Sequence, residues 1–210
     1  MKDILVIGES CRDIFIYCDA NRLCPDVPVP VLNIVNQTEN GGMAKNVHRN
    51  ILTRIESCDI LTNTDWINVT KTRYVHNASN HMFFRVDSPN NIGKINLNEV
   101  DYDYKLIVIS DYDKGFLSES DIQTICENHD NVFIDSKKIL GDWASKAKFI
   151  KINDYEYKRS EKFISDELKS KIIHTMGGDG CKYQNKVYKV NKWGENMGKK
   201  IVENIYIYIY

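Results

Sequence analysis

From Leu106 onward, short apolar runs alternate with stretches of helical composition, and no other feature restricts the fold of this chain as strongly. The runs are Leu106-Ile107-Val108-Ile109, Val132-Phe133-Ile134, Phe149-Ile150-Lys151-Ile152 and Lys171-Ile172-Ile173-His174. They have strand length, are rich in β-branched residues and are bounded by polar stretches. Residues 119–127 and 156–169 between them read as helices. Strands separated by helices predict right-handed crossovers and a mostly parallel α/β sheet. Ile4-Leu5-Val6-Ile7, closed by Gly8, predicts one further buried strand.

The first half adds a second kind of pattern. Residues 14–17, 31–35, 70–76 and 82–86 read as strands, with no helix inside either pair. They predict a separate small β sheet, a lid. Cys24-Pro25-Asp26-Val27-Pro28-Val29-Pro30 lies between the first two, and its prolines allow only loop or extended edge. Gly41-Gly42 precedes a predicted helix over 43–54. Residues 187–190 read as a last strand. The tail Ile205-Tyr206-Ile207-Tyr208-Ile209-Tyr210 alternates with period 2, an adhesive edge if left uncovered.

Composition narrows the function. The 210 residues suit one large domain, and 42% hydrophobic residues suffice for a proper core. Twenty-eight basic and 29 acidic residues leave a net charge of −1, which gives no footprint for nucleic acid or an acidic membrane. Any phosphate binding must therefore be local and geometric. The six cysteines form no C-x-x-C pair, and the five histidines have no ligand spacing. The opening residues do not read as a secretory signal, and the apolar stretches fall far short of the roughly 20 residues of a spanning helix. A cytoplasmic protein with reduced thiols is expected. No G-x-G-x-x-G follows the first strand, which argues against a dinucleotide oxidoreductase.

Chemistry gathers at the predicted strand ends, where α/β sheets collect ligands. Asn153-x-x-Glu156 ends the Phe149 strand. It reads as a helix capping box, and equally as groups that hold a hydrated Mg²⁺. Thr175-Met176-Gly177-Gly178-Asp179-Gly180 ends the next strand, as a hairpin turn or as a backbone nest for phosphate. Gly41-Gly42 is either a plain loop or a place where a ligand approaches a helix N-terminus, with Asn46 on the first turns. Ser110-Asp111-Tyr112-Asp113-Lys114-Gly115 places carboxylates and a lysine at the end of the Leu106 strand, and Ile134-Asp135-Ser136-Lys137 repeats the theme. Asp13, after Gly8-Glu9-Ser10-Cys11-Arg12, can bind sugar hydroxyls, pair with Arg12 or cap a turn.

In this order the segments resemble the ribokinase-like (PfkB) carbohydrate kinases, and among them the branch that phosphorylates heptose 7-phosphate, the kinase half of the ADP-heptose pathway. The run from Tyr17 to Pro30 is similar to that branch's lid segment. Gly41, Gly42 and Asn46 match its glycine pair and sugar-binding asparagine. Lys71-Thr72-Arg73, Phe84-Arg85-Val86-Asp87 and Ser110-Asp111-Tyr112-Asp113-Lys114-Gly115 match further blocks. Asn153-x-x-Glu156 matches the magnesium motif, and Thr175-x-Gly177 the nucleotide-side turn. The resemblance covers residues 3 to 190. It implies a three-layer α/β sandwich with a mostly parallel central sheet and a β lid, as a single domain over 1–210 with lid strands within 14–37 and 70–87. It implies phosphoryl transfer from ATP, with Mg²⁺, to a sugar phosphate such as heptose 7-phosphate. Asp13, Gly41, Gly42, Asn46, Arg85, Asp111 and Lys114 would hold the sugar phosphate. Lys137, Thr175, Gly177 and Gly180 would face the nucleotide, and Asn153 and Glu156 the metal. A homodimer through the lid is a further implication.

Two departures from the family pattern stand out. The chain is short between Asn50 and Thr70, where relatives carry an additional strand and helix. The family's Gly-Ala-Gly-Asp, which supplies anion hole and base, has Lys192-Trp193-Gly194-Glu195 in its place. Gly194 and Glu195 are then the candidate catalytic residues, the tail from 191 to 210 is atypical, and the resemblance implies a C-terminally truncated kinase. A sugar-phosphate-binding remnant without turnover, or a frameshift near Val190, is the alternative expectation.

Overall fold

The computed structural model describes residues 2–89, 92–184 and 186–189. The chain divides into two compact units, Met1–Ser118 and Glu119–Tyr210.

The first unit holds two sheets. Strands β1 (Lys2–Ile7), β4 (Cys58–Leu61) and β7 (Tyr104–Asp111) are parallel, with β1 between the other two. Ile4 lies opposite Cys58 and Leu106, and Ile7 opposite Leu61 and Ile109. Ile4, Ile7, Ile107 and Ile109 are fully buried, so both faces of these strands are covered, as their unbroken apolar runs require. At Gly8 the backbones meet. A Cβ there would stand 1.9 Å from the carbonyl oxygen of Ser110, so only glycine fits. Helix α1 (Gly42–Leu52) packs on this sheet through Ala44 and Ile51.

The predicted lid is a four-stranded sheet. Its strands are β2 (Arg12–Leu23), β3 (Pro30–Asn40), β5 (Thr70–His76) and β6 (Met82–Asp87), in the order β3-β2-β5-β6. β2 and β5 run parallel, and the outer pairs are antiparallel. Ile14, Ile16 and Cys18 form a small core with Leu32, Tyr74 and Phe83, and Tyr74 stacks on Phe84 at 4.6 Å. Ile34, Val35, Met82, Phe84 and Val86 remain exposed.

The second unit contains helix α2 (Glu119–Asn128), strands β8 (Val132–Ser136) and β9 (Phe149–Asn153), helices α3 (Asp154–Ser160) and α4 (Asp166–Lys171), and strands β10 (Ile172–Thr175), β11 (Cys181–Tyr183) and β12 (Lys186–Tyr188). β8, β9 and β10 are parallel, and β10, β11 and β12 antiparallel. Ile134, Ile150 and Ile152 are wholly buried.

Three readings change. The helix expected over 156–169 is two helices. Ile164 is extended (φ −81°, ψ 105°), and the Ser165 side chain accepts from Leu168 N, starting α4 afresh with Asp166 and Glu167 in its first turn. β4 was not expected. It has four residues and pairs with β1 alone within the unit, too short for its period to speak. Residues 175–180 do close a hairpin, with a 3₁₀ turn over Gly177–Asp179 between β10 and β11. The last strand runs from Lys186 to Tyr188, and Val190 lies outside the described residues.

All six cysteines are unpaired thiols; Cys24 and Cys181 are part-exposed and the other four buried. Burial pushes the Cys126 thiol up to about 12. Among the described residues no helix is long and apolar enough to cross a membrane.

Candidate functional site

Two groups of polar residues stand at strand ends, one in each unit. In the first unit they lie where β1, β7 and α1 meet. α1 has Gly41 as its N-cap with no side-chain cap bond, and its first turn carries no acidic residue. Gly42 has φ +46°, and a Cβ there would come 2.6 Å from Cys11 Sγ. Met43 follows at φ 43°, ψ −126°, a conformation that costs a non-glycine residue free energy. The entry to α1 is held by neighbours instead. Gly42 N donates to Asn40 Oδ1 (2.8 Å), Ala44 N to the Glu9 carbonyl (3.0 Å) and Lys45 N to Ser10 Oγ (3.1 Å).

Asp13, on β2, does not pair with Arg12. Its partner is Arg73 on β5, whose guanidinium also lies over the Phe15 ring at 5.0 Å. Arg12 instead bonds Glu39 at 2.7 Å, because Arg12 and Glu39 are neighbours across the β2–β3 ladder. Lys71 sits beside Arg73 on the lid, with Nζ 3.3 Å from Met43 Sδ and over the Tyr112 ring at 5.5 Å. Asn46 Oδ1 accepts from Arg49 at 2.8 Å. Arg85, on the exposed β6, pairs with Asp87 at 2.8 Å and belongs to the lid edge.

The end of β7 is tied to the end of β1 through a residue to which the sequence assigns no role. Glu9 is fully buried, and its Oε1 accepts from Lys114 N at 2.8 Å. Asp111 is 1% exposed and accepts from Asp113 N at 3.1 Å. Burial, and then the charge of Asp111, push the Glu9 carboxyl above the usual carboxylate range, against backbone N–H groups that stabilise its anion. A Glu in a glycine turn ordinarily signals solvent. Its burial follows from Gly8, which lets β7 approach.

In the second unit Asn153 and Glu156 form a complete capping box. Asn153 Oδ1 accepts from Glu156 N (2.9 Å), and Glu156 Oε2 from Asn153 N (2.8 Å). Glu156 Oε1 takes an ion pair from Lys137 at the end of β8. Glu156 is 3% exposed, and these partners occupy both of its buried oxygens. Thr175 Oγ1 donates to the Ile152 carbonyl at 3.2 Å. Lys151, Asn153, Asp154, Tyr155, Thr175 and Gly177 line a surface depression of about 410 Å³. Gly177, at φ +57°, has nothing within 4 Å of a would-be Cβ and leaves its wall open. Gly180 differs, since a Cβ there would stand 2.0 Å from the Tyr188 carbonyl oxygen; it admits the β12 backbone.

Both Glu156 oxygens are engaged, and among the described residues no group of three or more acidic, histidine or cysteine side chains could ligate a metal. A divalent cation held here would have to bind through its water shell, as Mg²⁺ commonly does, since direct coordination by Glu156 would displace the cap or the Lys137 pair. Gly194 and Glu195 lie outside the described residues.

Parallel strands with functional groups at their C-terminal ends, together with a separate four-stranded sheet, match the ribokinase-like fold, and the chain is similar to solved structures that carry it. The chain superposes on ribokinase from Thermotoga maritima with a TM-score of 0.63 at 12% identity, over 93% of this chain and 80% of that one. The nucleoside kinase of Methanocaldococcus jannaschii, an archaeal member of the ribokinase family, gives 0.62 at 11% identity over 100% and 85%. Phosphofructokinase-2 from Escherichia coli in complex with fructose-6-phosphate gives 0.59 at 14% over 96% and 85%.

In sequence the chain is similar to the bifunctional protein HldE of Helicobacter pylori. Identity to the strain G27 protein is 27% over 197 residues, covering 74% of this chain and 42% of that one. To the strain J99 protein it is 29% over 160 residues, covering 60% and 34%. The chain thus spans less than half the length of these curated relatives. No family model matches it.

Proposed function

We propose that the chain is an ATP-dependent carbohydrate kinase, a single domain over 1–210, that transfers a phosphoryl group to a hydroxyl of a sugar phosphate such as heptose 7-phosphate. The observation that carries this reading is the uncapped, strained entry to α1 beside Asp13, Lys71 and Arg73. A backbone held at positive φ without local compensation marks a position kept for a ligand. Similarity to HldE and the ribokinase-like fold support the same class.

On this reading Asp13 accepts from sugar hydroxyls and Arg73 fixes its orientation. Gly41 and Gly42 let the sugar approach the backbone, and Asn46 bonds a further hydroxyl. Lys114 and Arg85 supply positive charge to the phosphate, and Asp111 orders the Lys114 loop. In the second unit Lys137, Thr175, Gly177 and Gly180 serve the nucleotide side. Asn153 and Glu156 would hold Mg²⁺ through its water shell, and the ion would supply charge neutralisation for the phosphates; the remaining catalysis is positioning. Glu195 takes the hydroxyl proton and Gly194 keeps room for the phosphate. The lid excludes water, and the exposed apolar residues Ile34 on β3 and Phe84 and Val86 on β6 suit a second lid, giving a homodimer. The protein works in the cytoplasm, where ATP is supplied.

A second reading has its own observation. Glu195 stands in place of an aspartate, and its extra methylene moves the carboxylate by about an ångström, a costly misplacement. The chain would then bind sugar phosphate without turnover. A coupled assay for ADP release with heptose 7-phosphate tests both. Turnover lost in Glu195→Gln supports the kinase. Thermal stabilisation by the sugar phosphate without ADP release supports the binding protein. Neither turnover nor stabilisation with any sugar phosphate overturns both.

A further inference from the structure

The ends of β1 and β7 bury two carboxyl groups together, Glu9 at 0% and Asp111 at 1% exposure. Glu9 Oε1 is occupied by backbone N–H groups of the 112–115 loop, those of Lys114 and Tyr112. Glu9 Oε2 is sealed from solvent and has no hydrogen-bond partner among the described residues. A bare carboxylate oxygen in that position costs the fold more free energy than an unpaired neutral group would. Among the described residues no lysine or arginine hydrogen-bonds it. Lys45 lies over Trp66 at 4.1 Å, Lys71 over Tyr112, and Arg73 pairs with Asp13. Asp65 accepts from Asn63, and Asp113 and Lys114 belong to the loop itself. A metal ion needs more oxygens than two carboxyls provide, and among the described residues no third acidic, histidine or cysteine side chain joins them. A proton needs only one acceptor.

We propose that Glu9 is a positioning residue of the sugar side: it shares one proton with Asp111 and thereby clamps the loop that carries Lys114 onto the end of β1. The proton resides on Glu9 Oε2 and is donated to an Asp111 oxygen, while Oε1 keeps the two loop N–H groups. The raised protonation of Glu9 agrees with the burial and like charge already described. Lys114's contact with the sugar phosphate rests on the function proposed above; the shared proton does not.

The sign follows from linkage. A carboxyl whose folded pKa is raised stabilises the fold fully below its unfolded value, and that contribution is lost as pH rises through the folded value. Thermal unfolding of the whole chain is therefore measured from about pH 5 to about pH 8, across the range above the ordinary carboxyl value of about 4.3. The Glu9 contribution to wild-type Tm is expected to fall. Glu9→Gln mimics the protonated form, accepting through Oε1 and donating through Nε2, and its Tm is expected to fall less steeply than wild type's, whereas Glu9→Ala is destabilised at every pH. The heptose 7-phosphate concentration for half-maximal thermal shift is expected to rise roughly tenfold more in wild type than in Glu9→Gln over this range, the phosphate's own titration being common to both. A Glu9→Gln slope equal to wild type, or Glu9→Gln as weak as Glu9→Ala, overturns the proposal. Should Glu9→Gln fail to fold, Asp111→Asn decides, with a shallower slope expected and an unchanged one overturning it. If the sugar phosphate stabilises neither protein, the kinase reading fails while the ligand-free slope still decides the shared proton.

Discussion

Helices α1 and α3 both begin directly after a strand, and they begin in opposite ways. α3 is closed by its own sequence. Asn153 and Glu156 satisfy each other's backbone N–H groups, and Asp154 and Glu156 place negative charge in the first turn. α1 has no side-chain cap bond and no acid in its first turn, and it enters through two consecutive residues at positive φ, Gly42 and Met43. The first junction is satisfied locally, whereas the second depends on Glu9, Ser10 and Asn40 outside the helix. A junction that leaves its stabilisation to other segments keeps its backbone available for another purpose.

Substitutions can break or sharpen this contrast. The largest effect is expected at Gly42. Alanine there meets Cys11 Sγ at 2.6 Å at a φ of +46°, and Gly42→Ala should cost about 3 kcal/mol by denaturant unfolding. In a Cys11→Ala background the Sγ contact is gone, and the same change should cost about 1–2 kcal/mol, the part due to φ and to the remaining 3.3 Å contacts with Asp13 Cβ and the Cys11 carbonyl. Equal costs in both backgrounds would remove the steric half of the contrast. Next comes Lys137→Met. It leaves Glu156 buried with only its cap bond and should cost about 2 kcal/mol, less than a fully buried pair because Lys137 is part-exposed. Smallest is Asn153→Ala, which opens the capping box and should cost about 1 kcal/mol while leaving the entry to α1 untouched. A cost at Asn153 as large as that at Gly42 would mean that α3, not α1, is the more constrained junction.

Much of this arrangement was legible in the sequence. β1, β7 and β8 announce themselves because burial on both faces demands unbroken apolar runs, and β9 and β10 because their buried isoleucines stand out beside part-exposed Lys151 and His174. The lid was legible as strands without helices, but not its β2–β5 parallel pairing, which no local signal encodes. β4 escaped because Cys58-Asp59-Ile60-Leu61 has too few residues to show a period. The break at Ile164 escaped because Ser165 acts as a cap only where the chain already turns. Asn153 and Glu156 were legible as a cap. The burial of Glu9 was not, since it arises from the approach of a strand 100 residues away, and composition carries no trace of that.

The distribution of thiols has a practical consequence. Four of the six are enclosed, while Cys24, in the proline-rich loop of the lid, and Cys181, on β11, are reachable, one in each compact unit. Maleimide dyes would therefore attach first at this native pair, without any engineered mutation. Energy transfer between them would then report in real time whether the two halves of the chain rearrange when sugar and nucleotide are added.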